Sequence, residues 1–456
     1  MTWTLRSISA LAATAGLGAV LAAGPQTASP QAPAQQPSDL STVIRGDASA
    51  PPRFAVPDFL ALSSDAETVA VAKTIGQVLW DDLNFEREFA LIPRDVYATI
   101  PAAKSLTDVP FDRWREVNAD GVVAGTVQKG AAGILVQVRL FNVKTGQSAF
   151  GKEYSGSAGN PRSYAHTISD EIHKEQRGLR GVARTRLTFD SDRDGERMTG
   201  TVENRNVKEI YIADYDGAGQ KRVTTGRSLN INPTWSPDGR SIAYASYRRG
   251  EPNIFISNIY QGTLEELTKK TGSNFLPSWS PDGTRVCFMS NRDGHMQLYI
   301  ANRDGSNVRR LLNERGDDGA PTWSPNGTQI AFTSDRSGKP QIWVIDVDGL
   351  RQRKITSEDY ADRPTWSPAP YNEIAFSART GPGSDIKVID LASGQVRQLT
   401  FGEGTNESPS WAPNGRHLAF TSTRSGKTQV FVMARDGKNL KQVTNMGNNY
   451  QPDWSK

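Results

Sequence analysis

The chain has 456 residues, of which 37% are hydrophobic and 22% are charged. This length predicts more than one domain, and the hydrophobic content excludes a mainly disordered chain. The net charge is only +4 and no basic run is present, so we expect no nucleic-acid partner. The single cysteine, Cys287, excludes an intramolecular disulfide and any cysteine-built zinc or iron–sulfur site.

The first 24 residues have the layout of a secretory signal peptide. Residues 1–7 carry one positive charge, at Arg6, and residues 8–24 form an uncharged stretch of mostly Ala, Leu and Gly. A membrane anchor is the alternative, but a spanning helix needs about 20 strongly apolar residues. We therefore expect residues 1–24 to be removed, which leaves an exported chain that does not span a membrane.

Residues 25–41 are expected to form a disordered tether rich in Pro and Gln. Residues 25–38 contain four prolines, no charge and no bulky apolar side chain. Such a segment cannot bury enough surface to offset the entropy lost on ordering.

After the tether, residues 42–180 predict a small α/β domain. The expected helices cover residues 65–83, 111–119 and 164–176, and the last one ends at Gly178. The expected strands cover residues 53–59, 90–92, 121–127, 134–143 and 146–154.

An internal repeat decides the architecture of residues 181–456. A Pro-Thr/Ser-Trp-Ser-Pro-Asp/Asn-Gly motif, with variants, places tryptophans 44, 44, 43, 45 and 43 residues apart, at Trp235, Trp279, Trp323, Trp366, Trp411 and Trp454. Each of the first five motifs is followed by β-rich strings separated by polar turns. Four short antiparallel strands per period are typical of a β-propeller blade.

The two ends of the repeat complement each other. Residues 186–190, 209–214 and 222–224 supply three strands without a first strand, and residues 452–455 supply a first strand without the rest of a blade. The C-terminal strand is therefore predicted to complete the first blade and to close a ring of six blades.

Motifs for metal binding and catalysis are weak. Asp190, Asp192 and Asp194 resemble the start of a calcium loop, but Thr201 occupies the twelfth position, where such a loop needs glutamate. The four histidines have no suitably spaced carboxylate partner, and we find no nucleophile elbow, Walker loop or His-Glu-x-x-His motif. We expect no metal, no cofactor and no catalytic residue.

The segment that joins the two domains resembles the TolB family. The similar strings are residues 162–172 (RSYAHTISDEI) and 178–187 (GLRGVARTRL), and the six blades follow them in the order of that family. Residues 42–45 (TVIR) and 52–57 (PRFAVP) are similar to the start of the mature chain in the family. The chain departs from the family in its longer tether, in His173 and in Ala412.

The resemblance implies a non-enzymatic periplasmic component of the Tol-Pal envelope system, which is involved in protein import and supports outer-membrane integrity and constriction during cell division. It implies that the propeller binds a Pal-like peptidoglycan-associated lipoprotein. It also implies that an N-terminal segment, formed by Thr42, Val43, Ile44 and Arg45, binds a TolA-like inner-membrane protein. We expect the chain to be a monomer.

The loops before each tryptophan are expected to emerge on one face of the propeller, around the mouth of its channel. Loops on a rigid scaffold are where recognition normally occurs. The candidate partner-binding residues on this rim are Asn230, Asn232, Ser273, Asn274, Asp317, Gly319, Tyr360, Asp362, Arg363, Asn406, Glu407, Asn449 and Tyr450.

Two other classes of function are open at the level of sequence. One is an exported propeller hydrolase or lyase. A hydrolase would need a further domain for which residues 1–456 leave no room, and a lyase would need companions for His295 and His417 in the channel. The other is a lectin that binds peptidoglycan or sugars, which the sequence does not exclude.

Overall fold

The computed structural model describes residues 34–36, 42–46, 50–130, 133–198, 206–269 and 272–456. The predicted signal peptide, most of the predicted tether and Thr201 lie outside these residues. The described residues form an α/β domain followed by a six-bladed β-propeller, which confirms the predicted fold class.

The α/β domain contains a mixed sheet and three α-helices. Its strands are β1 (Ala34–Gln36), β2 (Arg53–Ala55), β3 (Leu60–Ala61), β4 (Ala90–Leu91), β5 (Gly121–Gly130), β6 (Gly133–Asn142) and β7 (Ser148–Gly156). Its helices are α1 (Ala66–Glu86), α2 (Phe111–Glu116) and α3 (Pro161–Arg177), with a 3₁₀ helix at Arg94–Thr99. The strand order is β1-β7-β6-β5-β2-β4, and β3 pairs with β5.

Three residues of the predicted tether form a strand, which corrects the expectation of disorder at these positions. Ala34 pairs with Ser155 and Gln36 pairs with Glu153 of β7. Without β1, β7 would be an edge strand whose unpaired backbone groups accept an extended segment. Backbone pairing needs no bulky side chain, so the composition of the segment does not predict it.

The central strand β5 is covered on both faces. Val123 and Val127 lie in the core formed with α1 and α3. Val122 and Ala124 lie in a second core, which the segment from Ile92 to Val117 provides on the opposite face. The domain is therefore a sheet between two helices and an irregular layer.

The propeller blades have four strands each. Blade 1 comprises β31 (Asn449–Trp454), β8 (Arg186–Ser191), β9 (Glu209–Asp214) and β10 (Lys221–Arg222). Blade 2 comprises β11 (Asn230–Trp235), β12 (Ser241–Arg249), β13 (Glu251–Asn258) and β14 (Leu264–Glu266), and blade 3 comprises β15 (Asn274–Trp279), β16 (Arg285–Ser290), β17 (Gln297–Asn302) and β18 (Arg309–Arg310). Blade 4 comprises β19 (Asp318–Trp323), β20 (Gln329–Ser334), β21 (Gln341–Asp346) and β22 (Gln352–Lys354).

The last two blades have the same arrangement. Blade 5 comprises β23 (Ala361–Trp366), β24 (Glu373–Arg379), β25 (Ser384–Asp390) and β26 (Val396–Gln398). Blade 6 comprises β27 (Asn406–Trp411), β28 (His417–Ser422), β29 (Gln429–Ala434) and β30 (Lys441–Gln442). Each first strand ends in a turn towards the second strand, and we call the face that carries these turns the proximal face. On the opposite, distal face, each fourth strand leads into the next first strand.

The ring closes as the repeat predicts. β31 pairs antiparallel with β8, with Trp454 opposite Leu187. The Trp454 indole Nε1 donates a hydrogen bond of 2.7 Å to Thr185 Oγ1. The backbone N–H of Ser455 donates to the Arg186 carbonyl at 2.8 Å. The C-terminal strand therefore completes blade 1.

The middle strands of the blades are buried on both faces. In β16, Val286 and Phe288 belong to the core that contains Trp279, whereas Cys287 belongs to the core of the next blade interface. Cys287 is 0% exposed, and burial raises the pKa of its thiol. This thiol is therefore a core group.

The α/β domain docks on the proximal face at blades 1 and 6. Arg416, which follows the first turn of blade 6, donates a 2.5 Å hydrogen bond to the Glu86 carboxylate at the end of α1. Tyr215, in a turn of blade 1, donates to Asp82 Oδ1 at 2.8 Å. Both carboxylates are nearly inaccessible to solvent, so the interface depends on paired buried charges.

His166 of α3 completes the buried cluster at blade 1. Its Nδ1 lies 2.8 Å from Asp82 Oδ2. Burial alone would lower the pKa of His166, but the Asp82 carboxylate outweighs burial and raises it. Burial raises the pKa of Asp82 as well. The Asp82 carboxylate therefore favours the protonated form of the His166 imidazole.

Candidate partner-binding face of the propeller

The distal mouth of the channel is formed by one equivalent residue from each blade. Each of these residues precedes the proline of the tryptophan motif and has a φ between 48° and 57°. They are Asn232, Leu276, Ala320, Arg363, Ser408 and Gln451. At each of them the register between the first and second strands shifts. This left-handed backbone is unfavourable for residues with a side chain, yet the repeat keeps it in every blade, where these residues line a cavity of about 130 Å³.

A second ring of polar side chains lines the channel below the mouth. Five blades supply a hydroxyl, and blade 1 supplies a carboxylate, at Asp453. The Asp453 carboxylate accepts hydrogen bonds from Trp235 N at 2.7 Å, from Thr234 Oγ1 at 3.1 Å and from Ser410 Oγ at 3.1 Å. The sequence analysis missed Asp453, although its departure from the Ser/Thr pattern was visible in the repeat.

Four of the predicted rim residues do not have exposed side chains. Asn230, Asn274, Asn406 and Asn449 are each 0% exposed. Their positions at the start of a first strand suggested the rim, but their side chains lie between neighbouring blades. They do not belong to a solvent-accessible binding surface, and this corrects the list derived from the sequence.

Asn406 shows what these buried asparagines do. Its Nδ2 donates to Asp385 Oδ1 of the preceding blade at 3.0 Å, and Thr400 Oγ1 donates to the same oxygen at 2.7 Å. Its Oδ1 accepts a 3.0 Å hydrogen bond from Arg424 of its own blade. Asn449 likewise donates to Gln429 of the preceding blade at 2.8 Å. The side-chain amides of these asparagines therefore form hydrogen bonds that hold adjacent blades together.

One sector of the rim, in blade 5, carries Tyr360, Asp362 and Arg363 as partly exposed side chains. Asp362 Oδ1 accepts from Thr333 Oγ1 at 2.8 Å and from the backbone N–H of Arg363 at 2.7 Å. Burial raises the pKa of the Tyr360 hydroxyl, which keeps it a hydrogen-bond donor. This sector therefore combines an aromatic side chain with charges of both signs.

Blade 1 presents a second charged group on the same rim. Lys208 Nζ lies 3.3 Å from the centre of the Tyr450 ring and 3.0 Å from Asp190 Oδ2. Burial raises the pKa of Asp190, and the positive charges of Lys208 and Arg363 oppose the rise. Lys208, Asp190, Tyr450 and Arg363 thus form one electrostatic cluster at the distal mouth, which we call the mouth cluster.

Lys208 and Asp190 were not among the residues selected from the sequence. Lys208 precedes the third strand of its blade, where the other blades have Pro252, Met296, Pro340, Ser384 and Thr428. It is the one charged residue at this position of the six blades, and this difference could have identified it from the sequence.

Three of the remaining candidates lie around the outer rim. Glu407 is exposed and accepts a 3.1 Å hydrogen bond from Ser384, and Ser273 donates to Glu251 at 3.0 Å. Asp317 is exposed and accepts from the backbone of Met296. The other two lie nearer the channel: Gly319 has no side chain and lies against Met289, and Asn232, at the mouth, is 8% exposed and hydrogen-bonded to Gln451.

The predicted N-terminal segment lies on the α/β domain, apart from the rim. The backbone of Thr42 donates to the Ala149 carbonyl at 2.8 Å, and that of Ile44 donates to Gln176 Oε1 at 2.9 Å. Ile44 is 3% exposed, whereas Val43 is 50% exposed and Arg45 is exposed. Thr42, Val43 and Arg45 are therefore accessible to a partner, whereas Ile44 is not.

The aspartates of the calcium-like motif have separate partners. Asp190 pairs with Lys208, Asp192 accepts from Asn448 N at 2.7 Å, and Asp194 accepts from Tyr211 at 2.8 Å. Over the described ranges, no group of three or more His, Cys, Asp or Glu side chains is placed to hold a metal ion. In the same ranges, none of the helices has the length and apolar character needed to cross a bilayer.

Fold and rim together define a two-domain propeller protein of the binding type, in which an α/β domain docks on one face and charged and aromatic side chains surround the channel on the other. The TolB beta propeller domain model matches residues 174–370 and 359–456, and the TolB amino-terminal domain model matches residues 40–149. The chain belongs to the TolB family.

Individual relatives agree with this assignment. The chain is 33% identical over 208 residues to the "Tol-Pal system protein TolB" of Desulfosudis oleivorans, covering 45% of each chain. It is 32% identical over 232 residues to the protein of the same name from Alkalilimnicola ehrlichii, covering 50% of each chain. The alignments thus span about half the length of these curated relatives.

A solved structure matches over most of the chain. The crystal structure of TolB from Acinetobacter baumannii is 25% identical, has a TM-score of 0.74 and covers 90% of this chain and 98% of that one. These relatives are named as Tol-Pal proteins and not as enzymes, which supports the expectation that the chain is not an enzyme.

Proposed function

We propose that this chain is a periplasmic component of the Tol-Pal envelope system, supporting outer-membrane integrity and constriction during division. In this proposal the distal face of the propeller binds a Pal-like lipoprotein, and residues 42–45 bind a TolA-like inner-membrane protein. Membership of the TolB family and the names of its relatives support the assignment to the system.

The mouth cluster is the observation that carries the proposal for the distal face. The cluster contains Tyr450 and Arg363, and tyrosine and arginine are common among interface anchors. These two side chains lie close to the charged pair Lys208 and Asp190. Arg363 lines the mouth of the channel, and Tyr450 is adjacent in sequence to Gln451, which lines it too, so a partner segment at the mouth would meet both. Central, partly desolvated positions are where binding energy concentrates.

Calorimetric titration against a purified, unlipidated Pal-like protein tests this proposal. Arg363→Ala and Tyr450→Ala are each expected to weaken binding by about 1–3 kcal/mol, because each removes a central anchor. Alanine is tolerated at position 363 since Ala320 occupies the equivalent place, with a φ of 48°. Circular dichroism should show unchanged melting of both variants.

Lys339→Ala is the matched control. Lys339 is on the distal face, but its side chain is 65% exposed and pairs with Asp359 in an outer turn. Its removal is expected to leave the affinity unchanged. Arg248, in the corresponding turn of blade 2, is a poorer control because its guanidinium lies 5.0 Å from the Phe255 ring centre. Equal affinities of all variants would contradict the proposed interface.

The N-terminal site is tested separately. A double variant, Val43→Ser with Arg45→Ala, changes two of the three exposed side chains and leaves the buried Ile44 in place. We expect it to lose binding to a purified TolA-like periplasmic domain while its affinity for the Pal-like protein stays the same. Retained binding of the TolA-like domain would contradict the role of residues 42–45.

We also propose that export removes residues 1–24 and leaves residues 25–33 as a tether before β1. Mass spectrometry of the protein recovered from the periplasm measures the first residue directly. A mature chain that still begins at Met1 would contradict the proposed signal peptide.

A further inference from the structure

A cavity of about 370 Å³ lies in the α/β domain, on the sheet face opposite α1 and α3. Its floor is β5, at Val122, Ala124 and Thr126, and its roof is the irregular segment that contains Ile100, Leu106 and Val109. The cavity volume is within the usual range of small-ligand sites, roughly 300–1,000 Å³, near its lower limit. None of the proposed functions above uses this cavity.

The cavity results from a gap in the sheet. β2 pairs with Gly121 and Val122 of β5, and β3 pairs with Thr126 and Val127. Between these short pairings the chain leaves the sheet, so residues 123–125 of β5 have no strand partner on that edge among the described residues. The small side chain of Ala124 lies at this gap and leaves the space above the floor open.

The wall of the cavity is held in place by hydrogen bonds. The Tyr97 hydroxyl accepts from Val56 N at 2.9 Å and donates to the Ile92 carbonyl at 3.0 Å. The Tyr97 ring meets the Trp114 ring edge-on, with 5.4 Å between ring centres. A wall with fixed aromatic rings keeps its shape without a ligand, and a preformed pocket is typical of binding sites.

Its polar groups indicate a neutral ligand. Arg94 and Asp58 form an ion pair with each other at the margin, which leaves no net charge there to attract an ion. Trp114 is 3% exposed and contributes its ring to the lining of the cavity. Apolar walls beside a strand edge that is unpaired among the described residues suit an apolar amino-acid residue in an extended segment, because its backbone can pair with that edge while its side chain enters the cavity.

We propose that this cavity binds one apolar side chain, of leucine or phenylalanine size, presented by an extended segment of a partner protein. The chain's own residues 25–38 contain no bulky apolar side chain, so they cannot supply the occupant. The site is separate from residues 42–45 and from the mouth cluster, and it does not depend on the proposed binding of a Pal-like protein.

Saturation-transfer NMR on the mature chain tests this site with three probes: N-acetyl-leucinamide, N-acetyl-phenylalaninamide and N-acetyl-glycinamide. We expect the leucine and phenylalanine probes to receive several-fold more saturation than the glycine probe. Ala124→Leu fills the cavity from its floor and should reduce this transfer at least fivefold. Ala70→Leu, at an exposed position of α1, is the matched control and should change nothing.

A second variant guards against misfolding. Ala103 lies in the roof and is partly exposed, so Ala103→Trp can block the cavity without altering the sheet. Loss of probe binding in this variant, with unchanged melting and unchanged titration of the Pal-like protein, supports the site and separates it from the function proposed for the propeller. Equal transfer to all three probes, or transfer that persists in Ala103→Trp, would overturn the proposal.

Discussion

The proximal face and the outer rim of the distal face arise from the same repeat, yet charged side chains are buried at the first and exposed at the second. On the proximal face, Glu86 and Asp82 are almost completely buried, and each has partners from both domains. On the outer rim of the distal face, Glu407 and Lys339 are exposed, and the side chain of each has a single partner among the described residues, Ser384 and Asp359 respectively. Buried charges must be paired to be tolerated, whereas exposed charges are free to change partners. The proximal face is therefore a permanent joint, and the distal face is available for exchangeable contacts.

The largest effect is expected from opening the ring on which both faces depend. Deletion of residues 450–456 removes nearly all of β31, its pairing with β8 and the buried Trp454. We expect the melting temperature to fall by more than about 10 °C, because a missing strand exposes two core interfaces. Deletion of residues 25–31 is the control of equal length. Melting temperatures of the two deletions within two degrees of each other would contradict the closure.

The next prediction tests the buried contacts between the α/β domain and the proximal face. Glu86→Ala removes the acceptor for Val182 N and Arg416, at 2.9 and 2.5 Å, and leaves the arginine without its buried partner. Loss of one member of a buried ion pair costs about 3–5 kcal/mol. Glu407→Ala, on the distal face, should change stability by less than about 0.5 kcal/mol. Urea denaturation of both variants compares the faces, and similar losses would show that they do not differ in this way.

A third prediction concerns the loss of stability at acid pH, to which we expect His417 to contribute. Its ring stacks on Phe85 at 4.6 Å, and burial lowers its pKa to about 3. Between pH 6.5 and 3 the unfolded chain binds a proton here that the folded chain does not, so stability falls as the pH falls. One such group costs up to about 1.4 kcal/mol per pH unit.

Thermal melts at pH 7, 6 and 5 test this assignment. We expect His417→Gln to lose less stability than the unsubstituted protein over this interval, because the variant lacks the group that must take up the proton. His295→Gln, in an exposed distal turn, should follow the unsubstituted protein. Parallel curves for all three proteins would show that His417 is not the acid-sensitive group.

The sequence predicted the propeller well because a fold repeated six times leaves a periodic signal. It did not predict which side chains at the rim are exposed. Asn406 and Glu407 are neighbours in the chain, but successive residues of a strand point in opposite directions, so one is 0% exposed and the other is exposed. Without the register of each first strand, both were assigned to the rim.

A search for the residues that the six blades have in common does not identify two further features of the structure. Lys208 and Asp453 matter because they differ from the other members of the repeat at their positions. The contact between the two domains could not be predicted from local sequence either, because Asp82 and Tyr215 are 133 residues apart. Contacts at such separation depend on tertiary packing, which a motif search does not describe.

The smallest of the expected effects separates the structural rim residues from the binding ones. Asn406→Ala leaves Asp385 and Arg424 each with one hydrogen bond fewer inside the blade interface. A lost buried hydrogen bond costs about 1–3 kcal/mol, so we expect a loss of stability of that size. Because the Asn406 side chain is inaccessible to solvent, the affinity of the folded variant for the Pal-like protein should not change.

Arg363→Ala should give the opposite result, with weaker binding and unchanged stability, because its side chain is partly exposed at the mouth of the channel. The two variants lie on the same face, so their comparison separates the effect of side-chain exposure from that of location. Urea denaturation and calorimetry, both performed on each protein, provide the four values needed. The alternative outcome is that Asn406→Ala weakens binding in proportion to its loss of stability. That result would show that the hydrogen bonds of Asn406 between the blades and the binding surface are coupled, and it would contradict a rigid distal face with exchangeable contacts.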